Sequence, residues 1–258
     1  MTTEPSTTES VDSSSSEATV STEPASSSSD SDTTTSEPTT TTSAEVTTTD
    51  ETTSDIPTTT TSAEEQPTVL FADDDAQTFH RGQDRTLLSP FQISMYTSSS
   101  QVLTISVNGD IRLGTVPTDP TRDDLPSEYG GNAVFPYWTE NAILPNSGQG
   151  ITYITSGQVP ERTLLIDFKV MPDSNIAQDQ PDHYTVSFFE QLPQYCQVRY
   201  YHTHGTGEDA TIGFQGLFAL TGQYRQYSYN SPGTVPDRTL MEMGLQDAGT
   251  FYTEEDAF

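Results

Sequence analysis

His202-Thr203-His204 is the first constellation in this chain with chemistry in it. In an extended segment residues two apart point to the same side, so the two imidazoles face one way, as a pair of metal ligands must. His80, His183, Glu208 or Asp209 would complete such a set. Gly205-Thr206-Gly207 follows the pair directly, and the same residues read equally as a polar passage from strand to turn. Asp73-Asp74-Asp75, Asp123-Asp124 and Glu208-Asp209 are oxygen-rich clusters of the kind a structural Ca²⁺ takes on flexible loops. None has EF-hand spacing, and in so acidic a chain adjacent carboxylates arise by composition alone.

Aromatic residues offer a second kind of site. Trp138 and the tyrosines Tyr224, Tyr227 and Tyr229 are candidate contacts for a protein or a sugar, with core packing as the competing reading. Tyr227 and Tyr229 are expected on one strand face with Arg225. Nucleophilic catalysis has little to build on. Gly-x-Ser-x-Gly does not occur, and Cys196, alternating with Gln197 and Arg199, reads as a small buried hydrophobe. Phosphate-cradling Gly-rich loops are absent as well. The expectation is a protein that is not an enzyme.

The elements that must hold these residues occupy only part of the chain. It has 258 residues, 38 acidic against 9 basic, and a formal net charge of -29. Residues 1–66 contain 38 Ser or Thr and no aromatic, Lys or Arg, whereas all 24 aromatics lie between Phe71 and Phe258. Residues 1–80 carry 17 acids and no base, leaving a net of -12 on residues 81–258. A Ser/Thr tract with interspersed Pro cannot bury enough apolar surface to order itself, and is expected to be a disordered stalk of the O-glycosylated, mucin-like type. A plain acidic tail is the alternative. The acidity excludes nonspecific nucleic-acid binding, which rests on Lys and Arg, and disfavours anionic membrane surfaces. No apolar run is long enough to span a bilayer. No secretory leader or Asn-x-Ser/Thr sequon is present in this chain, so an extracellular location carries the expectation that the chain is a fragment.

From about Phe71 the hydrophobic period is two. Leu103, Ile105 and Val107 alternate with polar residues, then Asn108-Gly109 intervenes before Ile111 and Leu113, a hairpin signature in which both turn residues are expected at positive φ. Ile151 to Thr155 and Thr163 to Val170 flank Gly157–Arg162 as a second hairpin. Tyr184–Phe188, Cys196–Tyr200, Ile212–Phe214 and Tyr224–Tyr229 supply further strands. Gly114–Asn132, rich in Pro and Asp, reads as a surface loop. No helical period is sustained. The expected fold is all-β, an antiparallel β-sandwich over residues 67–245, after a stalk at 1–66 and before an acidic tail at 246–258.

Four pieces in order resemble the nidogen-like extracellular domain: Ser89–Tyr96 with Val102–Gly114; Ala133-Val-Phe-Pro-Tyr-Trp-Thr-Glu140; Ile151–Ile154 with Pro160–Phe168; and Tyr184–Glu190 with Ala210–Gln215 and Tyr227–Asn230. The resemblance spans about 73–245. It departs at Thr139-Glu140, where the family often has consecutive acids, so no metal site carries over there. The resemblance implies a non-enzymatic extracellular or cell-surface module for adhesion or matrix assembly, with a protein or glycan partner. The competing expectations are an accessory carbohydrate-binding module of a secreted enzyme and a viral capsid or surface β-sandwich.

Overall fold

The computed structural model describes residues 66–73, 79–115, 121–128, 131–175, 180–217, 221–246 and 249–258. The expected Ser/Thr-rich stalk therefore lies almost wholly outside the described residues. The elements in chain order are β1 (Thr68–Ala72), β2 (His80–Arg81), β3 (Asp84–Met95), β4 (Ser98–Ser106), β5 (Ile111–Leu113), β6 (Ala133–Trp138), β7 (Asn141–Ile143) and β8 (Gly150–Ser156). They continue as β9 (Thr163–Pro172), β10 (Asp182–Phe189), β11 (Leu192–His202), β12 (Thr211–Gln215), β13 (Tyr224–Tyr229), β14 (Thr239–Gly244) and β15 (Thr250–Glu254). Among the described residues there is no α-helix.

Two antiparallel sheets result. One has nine strands, with the path β1-β8-β9-β10-β11-β14-β15 and the short β7 and β2 added beside β9. The other has six, in the order β13-β12-β6-β5-β4-β3. The period-two pattern explains their pairing face. On β9, Leu164, Ile166, Phe168 and Val170 are buried while Thr163, Leu165, Asp167 and Lys169 are not. Tyr184, Val186, Phe188, Cys196, Val198, Tyr200, Met241 and Met243 extend that buried layer across the sheet. Leu103, Ile105, Ile111, Val134 and Phe214 belong to the same core from the six-stranded side. Burying such side chains stabilises a fold by about 25 cal/mol per Å² of apolar surface removed from water. The expected antiparallel β-sandwich is the fold observed.

The two hairpins expected from alternation are present, β4 with β5 and β8 with β9. The Asn108-Gly109 turn differs in kind from its expectation. Gly109 has φ +84° whereas Asn108 has a negative φ, and the whole turn is buried. A Cβ at Gly109 would stand 2.2 Å from the Tyr137 carbonyl oxygen and 2.5 Å from the Tyr184 hydroxyl, so glycine is required by space as well as by φ.

The connection Gly114–Asn132 is more than a surface loop. Leu125 is buried with Ala133, Phe135 and Trp138 in a second apolar cluster, and Tyr224 packs against it. Backbone N–H groups of Leu125 and Ser127 donate to Gln226 Oε1 (2.6 Å) and Gln215 Oε1 (2.9 Å). Thr211 Oγ1 donates to the Asp123 carbonyl at 2.7 Å. Residues 121–128 of it form a strap across the outer face of β6, β12 and β13, which is why every residue of β6 is buried. Pro136 is accommodated inside this strand because the β6–β12 register shifts there.

The expected acidic tail at 246–258 is also corrected. Thr250–Glu254 forms β15, paired with β14 from Leu240↔Glu254 to Gly244↔Thr250. Phe251 explains the gain of order: it packs on the core beside Phe214 and Tyr227.

Candidate functional site

The turn after β11 brings His204, Glu208 and Asp209 around one cavity with Tyr137. His204 follows β11, and Gly205, Thr206 and Gly207 then take positive φ values of 61°, 49° and 104°. Three consecutive left-handed residues are costly for the non-glycine member and persist only where surrounding bonds hold them. Here the Thr206 carbonyl accepts from Thr234 N (3.0 Å) and Val235 N (3.1 Å), and Thr206 Oγ1 accepts from Gly233 N (2.7 Å). Tyr137 Oη donates to the His204 carbonyl at 2.8 Å and accepts from Gly207 N at 3.3 Å.

Behind the turn stands Asp182, the first residue of β10, with a side chain wholly shielded from solvent. Its Oδ1 accepts from the His204 backbone N–H (2.6 Å) and sits 2.8 Å from His204 Nδ1. A carboxylate only accepts, so the Nδ1 proton is held toward Asp182. That bond, reinforced by charge attraction, raises the His204 pKa above its ordinary 6.5. Burial raises the Asp182 pKa, an effect opposed by its bonds to His204. Asp182 Oδ2 has no hydrogen-bond partner among the described residues. The cavity in front, about 280 Å³, is lined by Tyr137, Thr139, Pro172, His204, Gly205, Glu208 and Asp209. Burial raises the Tyr137 phenol far beyond the physiological range, so it serves as a neutral donor.

The expected metal set is thus brought together only in part. His204, Glu208 and Asp209 share this cavity, and the His202 ring lies 5.2 Å from that of His204. Each of these imidazoles, however, has its own partner: His202 Nδ1 lies 2.9 Å from Asp237 Oδ2, and His183 Nε2 lies 2.9 Å from Asp167 Oδ1. His80 pairs with Gln83 at 2.8 Å. Among the described residues no three His, Cys, Asp or Glu side chains are grouped to hold one ion. Asp73 accepts from Gly148 N at 2.6 Å, which ties β1's end to a turn, while Asp74 and Asp75 lie outside the described residues.

The aromatic candidates separate. Trp138 is 0 % exposed, with its ring 4.8 Å from Phe135 under the strap, so it is a core residue and not a surface anchor. The tyrosine strip is broken by a bulge, since β12 pairs Ile212 with Ser228 and then Gly213 with Gln226, stepping over Tyr227. Tyr227 consequently packs on Phe251, whereas Tyr224 joins the Trp138 cluster and Tyr229 lies under Arg122. The single face expected for Tyr227 and Tyr229 is therefore not formed. Cys196 is wholly buried, and desolvation pushes its thiol pKa up, so it is an inert core residue.

A second cavity, about 230 Å³, opens where β7 begins, lined by Arg81, Gly82, Asn108, Glu140, Asn141 and Asp173. Sequence patterning singled out none of these as ligand residues. The available signal was the polar break Thr139-Glu140-Asn141 directly after the apolar run Ala133–Trp138.

Among the described residues no helix is long and apolar enough to cross a membrane. Neither curated proteins nor solved structures provide a match to the chain. The model of one protein family does match, that described as NIDO related, over residues 58–253, a span that takes in every strand but the last residue of β15. A nidogen-related domain is in general an extracellular module. Together with the two-sheet fold, the match across three quarters of the chain shows that this protein belongs to the NIDO-related family.

Proposed function

We propose that this protein works outside the cell or on its surface as a non-catalytic module for adhesion or matrix assembly. In this reading its sandwich is carried on the Ser/Thr-rich segment as a glycosylated stalk. The observation that carries the reading is the family match over 58–253, which takes in the sandwich but for the last residue of β15. The site chemistry supports it. Asp182 Oδ1 and Tyr137 Oη are engaged in holding an unusual turn, with Asp182 bonding both the ring and the backbone of His204. The ordered polar turns at this end suit contact with a partner better than bond-breaking.

Two measurements test the reading. Glycopeptide mass spectrometry of the chain secreted from eukaryotic cells is expected to find O-linked sugar on residues 1–66; unmodified Ser and Thr throughout would remove the stalk. Immobilised protein is expected to retain cells or matrix proteins above a denatured control. Equal retention by both would remove the adhesive role.

A further inference from the structure

We infer that this chain cuts itself once, at the Gly205–Thr206 peptide bond, with the Thr206 hydroxyl as nucleophile. Among the non-glycine residues of positive φ in the described part of the structure, Thr206 alone is β-branched. A β-branched residue in that region is a steric outlier, because its side chain crowds its own backbone. Such strain gathers at sites where it is part of a mechanism. Here one reaction removes it. The crowding exists because the Thr206 nitrogen carries the Gly205 acyl group, and it ends when that group leaves the nitrogen.

The turn cannot relax by rotating. Thr206 Oγ1 accepts from Gly233 N at 2.7 Å, and the Thr206 carbonyl accepts from Thr234 N (3.0 Å) and Val235 N (3.1 Å). Every threonine has its hydroxyl near the preceding carbonyl; Thr206 differs in what surrounds that carbonyl. The Gly205 oxygen accepts from Thr206 Oγ1 at 2.8 Å and from the Glu208 backbone N–H at 3.1 Å. The second is a fixed donor for the negative charge that develops there as the carbon becomes tetrahedral. Glu208 also brings its carboxylate to this bond. Its Oε2 lies 3.2 Å from the point where a Cβ would stand on Gly205, a position that only glycine leaves open. The cavity of about 280 Å³ lined by Gly205 and Glu208 gives water access to the same place.

The steps balance with water as the one co-reactant. Thr206 Oγ attacks the Gly205 carbonyl carbon while Glu208 takes the hydroxyl proton through a cavity water. The new C–O bond forms, the C–N bond breaks, and the proton is returned to the departing Thr206 nitrogen. The product is an ester from Gly205 to Thr206 Oγ beside a free α-amine. A second water hydrolyses that ester, leaving a Gly205 carboxylate and restoring the Thr206 hydroxyl. The pieces 1–205 and 206–258 stay together, since β12 pairs with β6 and β14 with β11 across the cut. The event acts on the chain's own bond and occurs once per molecule. It therefore goes beyond the proposed function and does not depend on it, and toward any partner the module stays non-catalytic.

The test follows the purified full chain in neutral buffer, with and without hydroxylamine, which captures esters. Denaturing electrophoresis and intact mass are expected to show two pieces, one ending at Gly205 and one beginning at Thr206. Hydroxylamine is expected to speed their appearance, while a sizing column under native conditions shows one species. Thr206→Ser is expected to cut and Thr206→Val to stay whole. Glu208→Gln is expected to cut at least about 100-fold more slowly. Glu208 is exposed, so its variant keeps the fold and decides the matter even if Thr206→Val unfolds. A parent chain that stays intact in hydroxylamine, a cut at any other bond, cutting that persists in Thr206→Val, or an unchanged rate in Glu208→Gln would each overturn the inference.

Discussion

The outer faces of the two sheets have opposite fates. That of the six-stranded sheet is roofed around β6 and β12: Leu125 from the strap seals Ala133, Phe135 and Trp138, and Asp110 and Arg112 form an ion pair of 2.6 Å with both side chains wholly buried. That of the nine-stranded sheet is more open among the described residues: in the row Thr152–Asp167–Thr185–Arg199–Leu240–Glu254, Arg199 and Glu254 are exposed and only Thr185 is buried. Tyr252 stands 58 % exposed there, and Tyr201 is stacked on His183. Large aromatics occur on both faces, so residue type alone does not say which can meet a partner. What divides them is whether a connection happens to lie on top.

Trp138→Ala gives the sharpest break of this contrast. Removing a fully buried indole beneath the strap is expected to destabilise the fold by about 3–5 kcal/mol, read as a lowered midpoint in urea. Trp138 is the sole tryptophan, so parent fluorescence should be blue-shifted and resist iodide quenching until unfolding; a native spectrum typical of water would mean that the face is not roofed. Leu125→Ala removes the strap's apolar contact and is expected to cost about 2 kcal/mol, with iodide access to Trp138 rising before global unfolding.

A smaller effect belongs to the β11 turn, where neither face decides the outcome. Because Asp182 raises the His204 pKa, protonated His204 contributes stability that is complete below pH 6.5 and fades as pH rises through the elevated folded value. His204→Gln is therefore expected to lose more stability at pH 5.5 than at pH 8.5 in paired denaturant titrations. The ring resonances of His204 should titrate above 6.5 in the parent and lower in Asp182→Asn. At the bottom of the scale, Tyr252→Ala on the open face is expected to change stability by less than about 0.5 kcal/mol. A larger loss would show that this face is covered after all.

Local alternation made the strands that carry one buried row legible. Leu164, Ile166 and Phe168 announce β9, and Cys196, Val198 and Tyr200 announce β11. It left β6 ambiguous, because a strand buried on both faces has no polar alternation to show. It also missed β15, whose order depends on one contact of Phe251 with residues far away in sequence. The site was legible in parts. His202 and His204 were found, but Asp182 and Asp237 lie 22 and 35 residues distant from their partners, and no local spacing links them.

The sequence by itself determined that the chain holds two unlike polymers. The Ser/Thr tract lacks the apolar surface to form a core, while the period of two beyond Phe71 can bury one face of a sheet and little else. Only the tertiary structure decided how each of the candidate polar residues is held. It placed Trp138 under a strap and gave each histidine its own acceptor. The reason is physical: a side chain's chemistry depends on what shields it and what it bonds, and in an antiparallel sandwich those neighbours come from strands distant along the chain.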